Sequence, residues 1–172
     1  MKKIVLLIIG ALSGCATDIP LPIQSGPAVH IPLALVLKEP DQQRGAAVRW
    51  GGVIARVENR REESWIEIVE QPLTKDGYPR DSDKSTGRFL ARVSGFIDPV
   101  VFAAQRRITV TGKLEGVTER SIGEHPYHYP LLRVEYLYLW PSPPKTVRYY
   151  PAPYGYDPWY PWGYPHRHRH PH

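Results

Sequence analysis

The stretch Ala46–Glu58, with the sequence AAVRWGGVIARVE, decides the fold of this chain. Apolar and β-branched residues dominate it, which favours a β-strand. The pair Gly51-Gly52 lies in the middle, and glycine inside a strand marks a bulge or a sharp bend of the kind that barrel corners need. We therefore predict one long strand that bends at this pair and takes part in both halves of a small barrel.

Four further strands are expected downstream, over residues 64–71, 88–96, 106–114 and 131–140. Asp98-Pro99 predicts a short helix over 100–105, because aspartate caps free N–H groups and proline fits the first helical turn. Residues 115–130 are expected to form a loop. Five strands with a helix between the third and fourth follow the order of an OB-fold, a small Greek-key barrel. We predict a mainly β, five-stranded, OB-fold-like barrel over residues 45–140, with another small β-barrel as the alternative.

Upstream of the barrel, the first fifteen residues form a bacterial lipoprotein signal. Lys2 and Lys3 precede an apolar run that is too short to span a bilayer, since spanning takes ~20 apolar residues. The run ends in Leu12-Ser13-Gly14-Cys15, a lipobox in which small residues precede the cysteine that receives the lipid. Residues 1–14 are thus a signal helix, and Cys15 carries a diacylglycerol and an N-acyl chain. A simple secretory signal with a chance cysteine is the alternative.

The residues after Cys15 predict where the mature protein is held. Ala16 follows the cysteine, in place of the aspartate that keeps many bacterial lipoproteins in the inner membrane, so we expect the outer membrane and its periplasmic face. Residues 15–44 are expected to be a lipidated tether that its prolines keep extended. Residues 29–37 are apolar enough to lie along the domain or form a helical turn. Cys15 is the only cysteine, and its acylation excludes disulfides and thiolate chemistry.

The other end of the chain, residues 141–172, has a composition of its own. It contains nine of the 19 prolines and six of the 11 tyrosines but almost no aliphatic residues, so we expect a disordered tail that cannot build a core. The tail carries a net charge of +3, and the signal lysines supply two more of the formal +5. The barrel is therefore near neutral, which argues against nucleic acid as a partner.

Histidines suggest two metal-binding hypotheses. Four of them alternate with arginine or proline at the end of the tail, a pattern that can hold a divalent metal weakly: His166, His168, His170 and His172. The alternative is a solvated tail without metal function, because a structural metal site needs fixed geometry. The cluster Glu124, His125 and His128 is interpreted as structural. No cofactor other than the lipid is predicted.

A ligand face is predicted on the second and third strands, where OB-folds bind their ligands. Its residues are Trp65, Leu90 and Arg92, which lie opposite the expected core side chains of the same strands. Those core side chains are Ile66, Ile68, Phe89, Ala91 and Val93. An exposed tryptophan beside an arginine suits stacking on a glycan or peptide. The alternative is that the tether or residues 29–37 cover Trp65.

Two other groups of residues are expected to be structural. The first is a set of charged side chains on the first two strands that form exposed cross-strand ion pairs rather than a catalytic dyad: Arg49, Arg56, Glu67 and Glu70. The second is a set of aromatic side chains that pack in the core or at the ends of the barrel: Trp50, Phe89, Phe96 and Trp140. The chain contains no nucleophile elbow and no glycine-rich phosphate loop in the required setting.

Several short motifs occur in a family-specific order: Val48-Arg49-Trp50-Gly51-Gly52, Gln71-Pro72-Leu73, Gly87-Arg88-Phe89, Gly95-Phe96-Ile97-Asp98-Pro99, Ile108-Thr109-Val110-Thr111-Gly112, Ile122-Gly123-Glu124, Tyr127-His128-Tyr129-Pro130 and Leu139-Trp140. Through them the chain resembles the Slp family of outer-membrane lipoproteins, the starvation-inducible type, over about residues 15–140. The tail is expected to lie outside the resemblance. The resemblance implies an acylated outer-membrane protein that faces the periplasm, and it offers no enzymatic residues to transfer.

The functional expectation is therefore a non-enzymatic lipoprotein with a structural or binding role in the cell envelope. Outer-membrane lipid is the expected partner of the anchor, and an envelope protein or glycan is the expected partner of the barrel. Two alternatives stay open at this point. One is a metal-handling protein that uses the histidine-rich tail, and the other is an envelope enzyme whose site has no recognisable motif.

Overall fold

A computed structural model describes residues 19–27, 29–82 and 85–142 of the chain. Two short helices precede five strands: α1 Leu21–Ser25, α2 Leu33–Lys38, β1 Ala47–Asn59, β2 Glu63–Glu70, β3 Arg88–Ser94, β4 Arg107–Ile122 and β5 His125–Leu139. The strands close into a barrel in the order β1-β2-β3-β5-β4, in which β3 and β5 are parallel. The predicted mainly β, five-stranded barrel is confirmed. No helix of these described residues is long and apolar enough to cross a membrane.

β1 changes partner at Gly52 and Val53 and so pairs with two neighbours in succession. Residues 47–53 of β1 pair with β4, and residues 52–59 pair with β2. A Cβ atom on Gly52 would lie 1.9 Å from the carbonyl oxygen of Val69, so the crossing of the two strands leaves no room for a side chain. The prediction that β1 takes part in both halves of the barrel is confirmed, although the register shift in its pairing with β2 lies after the glycine pair, between Ile54 and Arg56.

The barrel interior is built from alternate residues of the strands. Four of the core residues predicted on β2 and β3 are fully buried there, while Val93 is partly buried against them. The rings of Trp50 and Phe89 meet edge to face at 5.2 Å between centroids. Leu33 and Val36 of α2 belong to the same cluster. One predicted packing residue is wrong, since Phe96 lies in the loop after β3 with 73% of its surface exposed.

The segment before β1 packs on the barrel, where the sequence predicted an extended tether. Ile23 of α1 is fully buried. The guanidinium of Arg49 donates hydrogen bonds to the carbonyl oxygens of Ile23, at 2.8 Å, and Gln24. The indole N–H of Trp50 donates to the carbonyl oxygen of Ile31 at 2.9 Å. Proline spacing predicted an extended chain, but apolar side chains between the prolines are buried against the barrel. The expectation that residues 29–37 lie along the domain or form a helical turn is confirmed, because α2 buries Leu33 and Val36 in the core.

Two local predictions downstream also need correction. Residues 115–130 are not a loop, because β4 and β5 extend through them as a hairpin that turns at Gly123 and Glu124. Residues 117–130 of this hairpin are called the arm below. Residues 98–105 form turns rather than a continued helix. The Asp98 carboxylate accepts the N–H of Val100 at 2.8 Å as predicted for a cap, but Gln105 has a φ of 71° and redirects the chain into β4.

Candidate functional site

The arm packs against the outer surface of β1, β2 and β3. Leu90 and Tyr129 are each only 1% exposed, yet neither belongs to the cluster inside the barrel. The backbone N–H of Arg88 donates to the phenol oxygen of Tyr127 at 3.0 Å. Arg120 donates to the carboxylate of Glu58 at 2.8 Å. These contacts define a second buried layer, the outer layer, between the arm and the barrel wall.

Glu67 is the buried charge of the outer layer. It is 6% exposed, and its Oε1 atom accepts hydrogen bonds from Arg88 at 2.7 Å and from the Tyr129 hydroxyl at 3.0 Å. Its other oxygen lies 3.4 Å from a guanidinium nitrogen of Arg56. Burial, together with the bond to Glu67, raises the pKa of Tyr129 to about 12. The bond to this carboxylate also raises the pKa of Arg88.

Trp65 lies at the edge of the outer layer, beneath two guanidinium groups. The Cζ atom of Arg60 is 4.1 Å from the ring centroid and that of Arg120 is 4.3 Å from it, both within cation–π range. The indole N–H donates to Glu63 at 2.6 Å. Burial by itself raises the pKa of Glu58, but hydrogen bonds from Arg60 and Arg120 outweigh this and hold it below the usual value.

The predicted ligand face therefore has its three residues on one side of the barrel, but in different environments. Leu90 is buried. Arg92 forms ion pairs with Glu115 and with Glu63, the latter at 3.7 Å. Trp65 is in contact with Arg60 from the β1–β2 turn and with Arg120 from the arm, rather than with residues 29–37 as the alternative had it.

The predicted cross-strand ion pairs are half right. Arg56 and Glu67 are partners in the β1–β2 register and form an ion pair, although Glu67 is buried rather than exposed. Glu70 instead accepts hydrogen bonds from the backbone and the hydroxyl of Thr86. Arg49 binds backbone carbonyl groups, and burial lowers its pKa while Asp76 has the opposite, smaller effect.

An open cleft lies on another part of the barrel, between β1, His30 in the connection from α1 to α2, and the loop that follows β2. Its volume is about 500 Å³. We call it the polar cleft, and its lining is His30, Arg49, Trp50, Glu70, Pro72, Leu73, Thr74, Lys75 and Thr86. The side chains of His30, Lys75 and Thr86 are exposed at its edge. No local sequence pattern predicts this cleft, because its lining residues are spread over more than fifty positions.

Comparison with known proteins identifies the family of this chain. A model of the outer membrane lipoprotein Slp family matches residues 12–167. The chain belongs to this family. The uncharacterized lipoprotein YeaY of Escherichia coli K12 is 32% identical over 89% of this chain and 80% of its own length. Outer membrane protein Slp of the same organism is 27% identical over 95% of this chain and 90% of its own.

Slp-family membership makes the chain an outer membrane lipoprotein, as the short motifs predicted. The match also corrects the predicted extent of the resemblance, because it continues past Trp140 to residue 167 and includes most of the tail. Its first four residues are Leu12 to Cys15. The family likeness therefore covers both the segment before the barrel and the segment after it.

The metal hypotheses for this Slp-family chain remain predictions. Cys15 and the tail histidines His166, His168, His170 and His172 lie outside the described residues. Of the described histidines, His125 and His128 are exposed on the arm, and His128 Nδ1 is 3.9 Å from a carboxylate oxygen of Glu119. Within the described ranges, no group of three or more His, Cys, Asp and Glu residues is placed to hold a metal ion.

Proposed function

We propose that acyl chains on Cys15 anchor this outer membrane lipoprotein and that its barrel faces the periplasm. Support comes from the lipobox at residues 12–15, which the family match includes, and from Ala16 directly after the cysteine. One acyl chain binds a bilayer only marginally, whereas two or three give stable attachment. The tail, with its positive charge and its histidines, extends the chain beyond the barrel by about thirty residues.

The role of the barrel in this proposal is non-enzymatic, either structural or in binding. The observation that carries it is the enclosure of Glu67. A general acid or base must come within hydrogen-bond reach of the group it protonates. Both oxygens of Glu67 are already engaged by Arg56, Arg88 and Tyr129, and the residue is 6% exposed. Such a carboxylate stabilises the contact between the arm and the barrel.

If the barrel binds a ligand, the polar cleft suits it better than the face of Trp65. Its volume of about 500 Å³ lies within the usual range of small-molecule sites. The ammonium group of Lys75 and the hydroxyl group of Thr74 can donate hydrogen bonds to a glycan or a peptide, whereas the hydroxyl group of Thr86 already donates to Glu70 and can only accept. A ligand on Trp65 would instead have to displace a guanidinium group.

The anchor is tested with Cys15→Ala in growing cells. Metabolic labelling with a radioactive fatty acid should mark the native protein and not the variant, because no thiol is then available. Protease added to intact cells should spare the native protein and digest it after the outer membrane is opened. A labelled Cys15→Ala variant would contradict the anchor, and digestion in intact cells would contradict the periplasmic orientation.

The binding site is tested by titrating soluble peptidoglycan fragments, which supply both glycan and peptide groups. Lys75→Ala should weaken binding several-fold, whereas Lys113→Ala, a lysine outside the cleft, should leave it unchanged. Trp65→Ala is the third variant. Binding that is lost with Trp65→Ala and retained with Lys75→Ala would assign the ligand to the β2–β3 face and overturn the cleft.

A further inference from the structure

We propose that α1 and the neighbouring Tyr136 rest on the phospholipid surface, so that the barrel is docked on the membrane rather than suspended above it. This inference depends on the proposed anchor at Cys15 and adds the side of the barrel that meets the lipid. The surface formed by Leu21 and Tyr136 is called the docking patch below.

Chain length places the docking patch near the membrane. Four residues lead from Cys15 to Ile19, and six lead from Cys15 to Leu21. A fully extended chain covers at most ~3.6 Å per residue, so Leu21 lies within ~22 Å of the acylated residue. That residue sits at the bilayer surface, because its acyl chains are inserted in it. Among the described elements, α1 is therefore the one that the anchor brings closest to the lipid.

The docking patch is apolar and open. Leu21 is 73% exposed although it lies on a helix that buries Ile23 against the barrel. Tyr136 of β5 is 50% exposed. It shares a shallow groove of about 200 Å³ with Pro22 and Gly26. Leucine favours the acyl boundary and tyrosine the headgroup level, where its ring is buried and its hydroxyl stays in water.

Charge is absent from the segment that carries Leu21. Residues 19–37 contain no Asp, Glu, Lys or Arg, which leaves His30 as their only titratable side chain. Among the described residues that line the groove, Glu135 alone is charged, and its carboxylate lies 3.9 Å from the ammonium group of Lys113. Moving a charged group out of water is costly. The ion pair of Glu135 is compensated, and the guanidinium of Arg49 next to α1 is engaged by the carbonyl oxygens of Ile23 and Gln24, which lowers the cost of bringing this surface to lipid.

Phe96 offers a matched control, because it is equally exposed but far from the anchor. Leu21 and Phe96 are both 73% exposed. The loop of Phe96 is fixed to the end of β1, where Asn59 donates to the carbonyl oxygen of Ile97 at 2.9 Å. The α1 segment is fixed to Arg49, ten residues earlier in the same strand. If contact with lipid depended on exposure alone, positions 21 and 96 would behave alike. A difference between them therefore reports docking.

The experiment uses the full-length lipoprotein in phosphatidylethanolamine–phosphatidylglycerol vesicles. Leu21→Cys and Phe96→Cys are each labelled with an environment-sensitive fluorophore, which reaches only the new thiol because the single native cysteine is acylated. Lipids with brominated acyl chains serve as the quencher. We expect quenching several-fold stronger at position 21 than at position 96, with a blue-shifted emission. Equal quenching, or stronger quenching at position 96, would overturn the docking.

Flotation of the vesicles on a density gradient separates this inference from the proposed anchor. Protein that fails to float has no working anchor, which overturns the proposed function and the docking together. Protein that floats while the label at position 21 stays in water keeps the anchor and overturns the docking alone. Melting curves of both labelled variants verify that the barrel is folded.

Discussion

The barrel interior and the outer layer are two buried regions that the same strands build in different ways. On the inner side of β2 and β3, aliphatic and aromatic residues such as Ile66 and Phe89 are fully buried. On the outer side of the same strands, Glu67 is buried with its partners Arg88 and Tyr129. The interior excludes water with apolar surface, and the outer layer does so with paired charges and rings.

The difference shows that burial has two origins in this fold. Closure of the barrel buries one face of every strand, whatever follows in the chain. The outer face is buried only where the β4–β5 hairpin is long enough to fold back over it. The interior should therefore contribute most of the stability, while the outer layer fixes the position of the arm.

The largest effect is expected in the interior. Phe89→Ala removes a fully buried ring that contacts Trp50, and it should lower the free energy of unfolding by about 3–5 kcal/mol. Phe96→Ala is the matched control, because its ring is exposed and its loss should cost nearly nothing. Chemical denaturation of both variants gives the two values. Similar losses for the two variants would contradict the placement of Phe89 in the core and of Phe96 on the surface.

A smaller effect is expected at the centre of the outer layer. Tyr129→Phe removes the hydrogen bond to the charged Glu67 and leaves Arg56 and Arg88 in place, which should cost about 1.5–3 kcal/mol in unfolding. Tyr136→Phe, at a half-exposed position, should be neutral. An unchanged midpoint for Tyr129→Phe would show that the arm does not depend on this bond.

The same tyrosine predicts an alkaline limit. Its pKa is raised in the folded state to about 12, above the ordinary value of 10.0. The stabilisation is therefore complete below pH 10 and is lost as the pH rises towards 12, because the unfolded chain releases its proton first. Absorbance titration of the phenols should show one group that ionises late and that is absent from Tyr129→Phe. If all the tyrosine phenols ionised near pH 10, the burial of Tyr129 would be contradicted.

The smallest effect is expected at the edge of the outer layer. Trp65 is half-buried, and Trp65→Ala removes its indole hydrogen bond to Glu63 and two cation–π contacts, each worth about 0.5–1 kcal/mol where they are exposed to water. The loss in unfolding free energy should therefore be well below that of Phe89→Ala. Trp65→Phe keeps an aromatic ring and should recover part of the lost unfolding free energy. A loss as large as that of a core tryptophan, ~3–5 kcal/mol, would place Trp65 in a core instead.

The sequence was sufficient for the barrel because its signals are local. The alternation of Ile66 and Ile68 with outward residues, and the glycine pair at the place where β1 changes partner, each depend on a few neighbouring positions. Phe96 was misplaced because the third strand was predicted to run to residue 96, whereas β3 ends at Ser94 and Phe96 lies in the loop that follows.

The outer layer was missed for a different reason. Pro126 and Pro130 indicated a loop, yet both lie within β5 at places where the ladder with β4 continues around them. The contact of Tyr129 with Glu67 joins positions that are 62 residues apart, and no spacing rule predicts it. The polar cleft and the packing of α1 likewise depend on distant segments that only the closed barrel brings together.

Hydrogen exchange at the backbone amide of Arg88 tests the outer layer most directly, because this N–H donates to the phenol oxygen of Tyr127 on the arm. We expect slow exchange in the native protein and clearly faster exchange in Tyr127→Phe, with the amide of Ile68 inside the sheet unchanged as the reference. Exchange at Arg88 that is fast in the native protein, or unaffected by Tyr127→Phe, would contradict an arm packed on the barrel wall.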